Sequence, residues 1–191
     1  MIAADGILGQ MMEPLVLHEY KDPGDLPTKQ PWRLGDPSTP EPIWITSVHL
    51  GEGKLEEHNL ELQKKYETIE KNEVLYEETM TDDADVIMVA YGTAARVAKT
   101  ALAVARERGI KAGLFRPITI WPYPYRQVRE LADRVENFLV VEMSLGQMWE
   151  DVRLAVEGNA RVHLHGRTAG GVPVVSEVVE HLEKVQASKG D

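Results

Sequence analysis

The apolar positions of the chain are most regular from Val86 onward. Val86 to Tyr91 is continuously apolar, the pattern of a strand covered on both faces. Gly92-Thr93 then offers a turn and an N-cap, and Ala94, Val97, Ala98, Ala101, Leu102 and Ala105 recur at helical spacing. Their small size permits close approach to a sheet, while Arg96, Lys99 and Arg106 are expected to face away and Gly109 to stop the helix. Ala112 to Phe115 predicts a second strand, ending in Arg116-Pro117. A helix from about Tyr125, entered through Pro122 and Pro124, turns Val128, Leu131 and Ala132 inward. Phe138 to Val141 predicts a third strand ending at Glu142, and Met148, Trp149, Val152, Ala155 and Val156 form the next inner helical face. Val162 and Leu164 mark a fourth, less buried strand. The loop GRTAGGVP leads into a last helix carrying Val174, Val175, Val178, Val179 and Leu182. Four strands alternating with four helices predict an α/β domain built on a doubly wound, mostly parallel sheet.

Upstream the pattern differs. Leu55, Leu62, Tyr66, Ile69, Tyr76 and Met80 are spaced by seven, four, three, seven and four, which places them along one side of a long amphipathic helix, or of two with a break near Asn72. Glu61 and Lys65 form a favourable pair one turn apart on its polar side. Such a helix either packs its stripe on its own domain or clasps another subunit. Before it, prolines at 23, 27, 31, 37, 40 and 42 deny backbone donors and keep their neighbours out of the helical region, predicting an extended connector. Met1 to Ala4 reads as a buried strand followed by a Gly-rich turn. A lone strand cannot bury itself, so residues 1–17 are expected to be the end of a domain whose body lies elsewhere. The expected divisions are therefore 1–17, a connector over 18–52, an acidic amphipathic helix over 53–82, and the α/β domain over 83–191.

Composition narrows the function. With no cysteine among 191 residues, the chain has no disulfide, thiolate nucleophile or thiolate ligand for an iron–sulfur cluster. A net charge of -10 argues against nonspecific binding to nucleic acid or anionic membrane. Most of it lies between Glu52 and Asp83, where eleven acidic residues face only Lys54, Lys64, Lys65 and Lys71. No run approaches the ~18 apolar residues of a membrane span, and MIAADGILGQ lacks the regions of a signal peptide. A cytoplasmic location is expected.

In open α/β sheets ligands and partners meet the crevice beyond the carboxyl ends of the strands. Those ends are expected to present Thr93, Arg116, Glu142 and Arg167, where two guanidiniums around one carboxylate would clamp an anion or form a structural ion-pair network. Gly92-Thr93-Ala94 is a weak phosphate signal, without the G-x-G-x-x-G spacing or a P-loop lysine. His163 and His165 share one strand face, half of a metal site or simply solvent-facing residues, and no third ligand has a recognisable spacing. Trp121, Tyr123 and Tyr125, interleaved with prolines, form a packing corner or subunit contact. No nucleophile, base and acid arrangement is visible.

Five stretches taken together, ADGILGQMMEP, HNLELQKKYETIEKNEV, VAYGTAARVAK, GLFRPITIWPYP and VVEMSLGQMWEDVRLAV, resemble the C-terminal part of the alpha-type subunit of 2-oxoacid:ferredoxin oxidoreductases, with the 2-ketoisovalerate, branched-chain type most similar. The resemblance implies conversion of a 2-oxoacid, coenzyme A and oxidised ferredoxin into acyl-CoA, carbon dioxide and reduced ferredoxin by a complex using thiamine diphosphate, magnesium and iron–sulfur clusters. It implies beta-type, gamma-type and ferredoxin-like delta-type partner subunits and an oligomeric assembly. It also implies that 83–191 is a transketolase C-terminal-like domain and that 1–17 closes a pyrimidine-binding thiamine domain whose activating Glu lies upstream of Met1. On that basis no catalytic residue, bound cofactor or metal is assigned to this chain, which is expected to be a scaffold and subunit-contact element, inert alone. Asp5, Gly6 and Gln10 are the candidates for lying near the active-site interface, while Arg116, Glu142 and Gln147 are expected to hold domain contacts. The other reading is a self-sufficient anion-binding or regulatory module using Thr93, Arg116, Glu142 and Arg167.

Overall fold

A computed structural model describes residues 1–12, 14–22, 24 and 46–187. Most of the proline-rich connector, Pro23 and residues 25–45, lies outside the described residues, as do the last four positions. The chain divides into two compact units, residues 1–10 with 65–191, and residues 11–64.

The first unit is the α/β domain. Its elements in chain order are β1 (Tyr76–Thr79), β2 (Val86–Ala90), α2 (Gly92–Glu107), β3 (Ala112–Pro117), α3 (Tyr125–Ala132), β4 (Asn137–Glu142), α4 (Gln147–Val156), β5 (Arg161–Gly166) and α5 (Val175–Ala187). They follow α1 (Lys54–Asn72), whose first part belongs to the second unit. One five-stranded sheet has the order β1-β3-β2-β4-β5. β2 pairs in parallel with β3 and β4, and β4 with β5, while β1 pairs antiparallel with β3.

Alternation along the strands sorts the core into two layers, because successive side chains leave a strand on opposite faces. Val86, Met88 and Ala90 of β2 pack with Ala94, Ala98, Ala101 and Ala105 of α2 and Val178, Val179 and Leu182 of α5. Ile87 and Val89 pack on the other face with Val128 and Leu131 of α3 and Met148, Val152 and Ala155 of α4. With helices on both faces the sheet is doubly wound, as the periodicity predicts. The alanine face of α2 is buried throughout, and Gly109, at φ +82°, takes the left-handed conformation that closes the helix.

Four local expectations change. Met1 to Ala4, expected as a buried strand, forms no strand and is exposed, since no sheet edge or apolar face covers it among the described residues. The sheet has five strands, because the amphipathic stripe ends with α1 at Asn72 and Tyr76, expected on a helix, lies in the edge strand β1. There its ring stacks on Phe115 of β3, centroids 5.3 Å apart. Arg106, expected to face away from the sheet, instead donates to both Asp83 oxygens at 2.8 Å and to the Ala112 and Met80 carbonyls at 2.6 and 2.7 Å. It binds the β1–β2 connection to the end of α2. The helix-capping expectation for Gly92-Thr93 also changes: α2 begins at Gly92, and Thr93 lies inside its first turn with its hydroxyl oxygen buried and unpaired among the described residues.

In the second unit the described residues are largely exposed, and His49 stacks on His58 with centroids 4.4 Å apart. α1 contains no buried residue, and Leu55 is half exposed.

Candidate functional site

The order β3-β2-β4-β5 places a topological switch point between β2 and β4, where the chain leaves neighbouring strands toward opposite faces of the sheet. The segments leaving these strands are Tyr91-Gly92-Thr93 and Met143-Ser144-Leu145-Gly146.

Each leads directly into a helix, and each helix N-terminus meets a carboxylate of this chain. The first turn of a helix leaves backbone N–H groups without intrahelical partners and carries partial positive charge, so a carboxylate is favoured there. At α2 that carboxylate comes from 88 residues away: the Thr93 N–H donates to Asp5 Oδ2 at 2.8 Å. Gly92 makes the approach possible. Its φ is +55°, in the left-handed region, and a Cβ built on it would lie 2.7 Å from Asp5 Oδ2. At α4 the carboxylate is Glu142, wholly buried, whose Oε2 accepts from the Met148 N–H and the Ser144 hydroxyl, both at 2.9 Å. Glu142 Oε1 is buried without a hydrogen-bond partner among the described residues.

Tyr91 joins the two halves. Burial pushes its hydroxyl above the ordinary phenol value, the charges of Glu142 and Asp5 add to the rise, and a hydrogen bond with Ser144 partly opposes it. Asp5, Tyr91, Glu142 and Ser144 thus form one polar cluster across the switch point. The two acids that share this region accept from the N-termini of different helices, and Tyr91 stays protonated.

The other strand-end residues do not converge there. Arg116 lies on β3 and donates to Glu77 of β1 at 2.9 Å, and Arg167 spans both Glu177 oxygens at 3.2 Å. Only the backbone of Arg167 reaches Glu142, its N–H donating to the Glu142 carbonyl at 3.0 Å. The expected pair of guanidiniums around Glu142 is therefore not assembled, because strand order separates β3 from β4 and each Arg has a nearer carboxylate. Gln147 opens α4 and is exposed; Gly6 and Gln10 are exposed at the two ends of a 3-10 turn, Gly6–Gln10, that follows Asp5. Beside the α2 N-terminus, Leu8, Glu77, Gly92, Arg96, Lys99 and Arg116 border a cleft of about 290 Å³.

His163 and His165 face α5 rather than solvent, where His181 meets their rings at centroid distances of 6.5 and 5.7 Å. Burial depresses all three below the ordinary imidazole value. For His181 the two strand histidines and Lys184 add to the depression; for His165, Glu177 partly offsets it. Among the described residues no three His, Asp or Glu groups are placed to hold a metal ion. In the aromatic corner, Tyr123 is buried 5.0 Å from the Tyr125 ring, and the Tyr125 hydroxyl donates to Asp151 at 2.7 Å. Burial and that bond push Tyr125 up to about 12. Trp121 stays half exposed, edge-on to Tyr66.

Tyr91 and Ser144 were not singled out from sequence. Their signal is positional, each lying one or two residues past a buried strand, and it acquires meaning only once β2 and β4 are known to be neighbours.

Residues 84–178 match the family model described as pyruvate:ferredoxin oxidoreductase core domain II. The chain belongs to the 2-oxoacid:ferredoxin oxidoreductase family. All of its 191 residues align at 43% identity with ketoisovalerate oxidoreductase subunit VorB of Methanothermobacter thermautotrophicus, covering 53% of that protein. The 2-oxoglutarate synthase subunit KorA of Methanothermobacter marburgensis is 37% identical over 102 residues, which is 53% of this chain and 27% of KorA. The chain thus spans about half the length of the VorB subunit it matches. Among solved structures, the 2-oxoglutarate:ferredoxin oxidoreductase from Magnetococcus marinus, determined with 2-oxoglutarate, coenzyme A and succinyl-CoA bound, superposes with a TM-score of 0.60 at 17% identity. The match covers 78% of this chain and 27% of that one, and it shows the shared fold.

Proposed function

We propose that this chain supplies the core domain II portion of a subunit in a cytoplasmic 2-oxoacid:ferredoxin oxidoreductase of the branched-chain, ketoisovalerate type, where it acts as scaffold and subunit contact. The observation that carries this reading is end-to-end similarity to VorB at 43% identity, with only about half of VorB spanned. The complex would oxidatively decarboxylate a 2-oxoacid onto coenzyme A and pass the electrons to ferredoxin. Thiamine diphosphate, magnesium and the iron–sulfur clusters would reside outside this chain, in beta-type, gamma-type and ferredoxin-like delta-type partners. The cluster chemistry fits a sequence with no cysteine.

The switch point supports a structural role. Both helix N-termini that would ordinarily receive a ligand's anionic group already hold Asp5 and Glu142. Residues 1–17 would then close a thiamine-type domain, with Asp5, Gly6 and Gln10 at the interface, and 83–191 would be the contact domain.

The test is viologen reduction by the tagged chain, alone and as the complex it captures from its own cells, with 3-methyl-2-oxobutanoate, pyruvate and 2-oxoglutarate as substrates in the presence of coenzyme A. The proposal expects no turnover by the chain alone and turnover by the complex, highest with the branched 2-oxoacid. A captured complex without 2-oxoacid-dependent reduction would refute it.

A further inference from the structure

We infer that Asp5 is a positioning residue that latches the 1–10 segment onto the switch point, and so couples the domain this segment closes to the α/β domain. The inference rests on the functional reading above for its consequence, and on the geometry of residues 1–10 for its cause.

Among residues 1–12, Asp5 alone is not exposed. It serves two structures at once. Its carbonyl accepts from the Leu8 N–H at 3.0 Å and starts the 3-10 turn, while its carboxylate caps α2 through Thr93. Leu8 of the same segment lies on the wall of the cleft with Ala95 and Leu114. The receiving side is shaped for this carboxylate: Gly92 holds a positive φ, and the space a Cβ would occupy lies 2.7 Å from Asp5 Oδ2. The capping carboxylate therefore ties the segment to α2, and the attachment point adjoins Tyr91, whose hydroxyl feels both Asp5 and Glu142. An Asn at position 5 keeps an acceptor oxygen at the same reach without the full charge, and Ala keeps none.

The experiment compares Asp5→Ala and Asp5→Asn in the captured complex and in the 191-residue chain. It reads hydrogen exchange of the Thr93 amide, and kcat and KM for the 2-oxoacid. The expected result for Asp5→Ala is Thr93 exchange faster by on the order of fivefold, the size of one lost cap, and a several-fold lower kcat with unchanged KM. Asn restores both. Unchanged exchange in Asp5→Ala overturns the latch, and faster exchange at unchanged kcat overturns the coupling. Failure of Asn to restore kcat while exchange returns to normal overturns it as well, since the charge itself would then serve the chemistry. If the unsubstituted complex shows no 2-oxoacid-dependent reduction, the functional reading fails, and the exchange data alone still decide whether the latch exists.

Discussion

Replacing Gly92 by alanine tests the switch-point geometry most sharply when combined with the loss of Asp5. Two separate costs meet at Gly92. An alanine held in the left-handed region costs about 1–2 kcal/mol. A Cβ 2.7 Å from Asp5 Oδ2 also forces the carboxylate off Thr93, and losing that cap costs about 1 kcal/mol. Gly92→Ala in the otherwise intact chain should therefore destabilise it by roughly 2–3 kcal/mol. Asp5→Ala alone should cost about 1 kcal/mol. In the double variant the clash has no partner and the cap is already lost, so only the backbone strain is added, and the total again falls near 2–3 kcal/mol. The two substitutions should then be coupled by about 1 kcal/mol, well above the few tenths expected of independent sites. Urea unfolding of the four chains, fitted with a common slope, measures this directly. Additive effects would mean that Asp5 does not occupy the space beside Gly92 and would refute the geometry.

Other outcomes follow from the same structure. Glu142→Ala removes the acceptor of a buried Met148 N–H and should cost about 1–3 kcal/mol, whereas Glu142→Gln keeps one oxygen and should cost visibly less by the same denaturation assay. The three histidines between β5 and α5 have depressed folded-state values, so the unfolded chain binds protons first as pH falls. Their contribution is intact above the ordinary imidazole value of about 6.5 and is lost as pH drops through the lower folded values. Unfolding midpoints at pH 7.5 and 5.5 should differ accordingly, and His181→Gln should shrink the difference. Leu182→Ala, at a fully buried position on the inner face of α5, should cost about 2–5 kcal/mol, with a matching fall in thermal midpoint.

What could be read from sequence depended on how local each signal was. β2 and β4 are fully covered strands and show it as unbroken apolar runs; α2 shows its buried face through Ala94, Ala98, Ala101 and Ala105. β1 carries no such mark. Tyr-Glu-Glu-Thr at an edge has exposed side chains at three of its four positions, and its place is set by pairing with β3 rather than by its own pattern. The strand-end residues were legible as a set, but their grouping was not, because order within the sheet separates Arg116 from Glu142. Asp5 was singled out through family resemblance, and its role emerges only from a contact spanning 88 residues. Arg106 shows the same limit: a helix-surface arginine by spacing, it lies 21% exposed in a fork of carboxylate and carbonyl oxygens.

Native mass spectrometry of the complex captured by this chain, with thiamine diphosphate and iron quantified in the same sample, tests the central claim most directly. The expected result is a chain bound to partner subunits, with both cofactors present and both leaving with the partners when the complex is dissociated. A chain recovered alone, or in a complex free of thiamine diphosphate and iron, would contradict it.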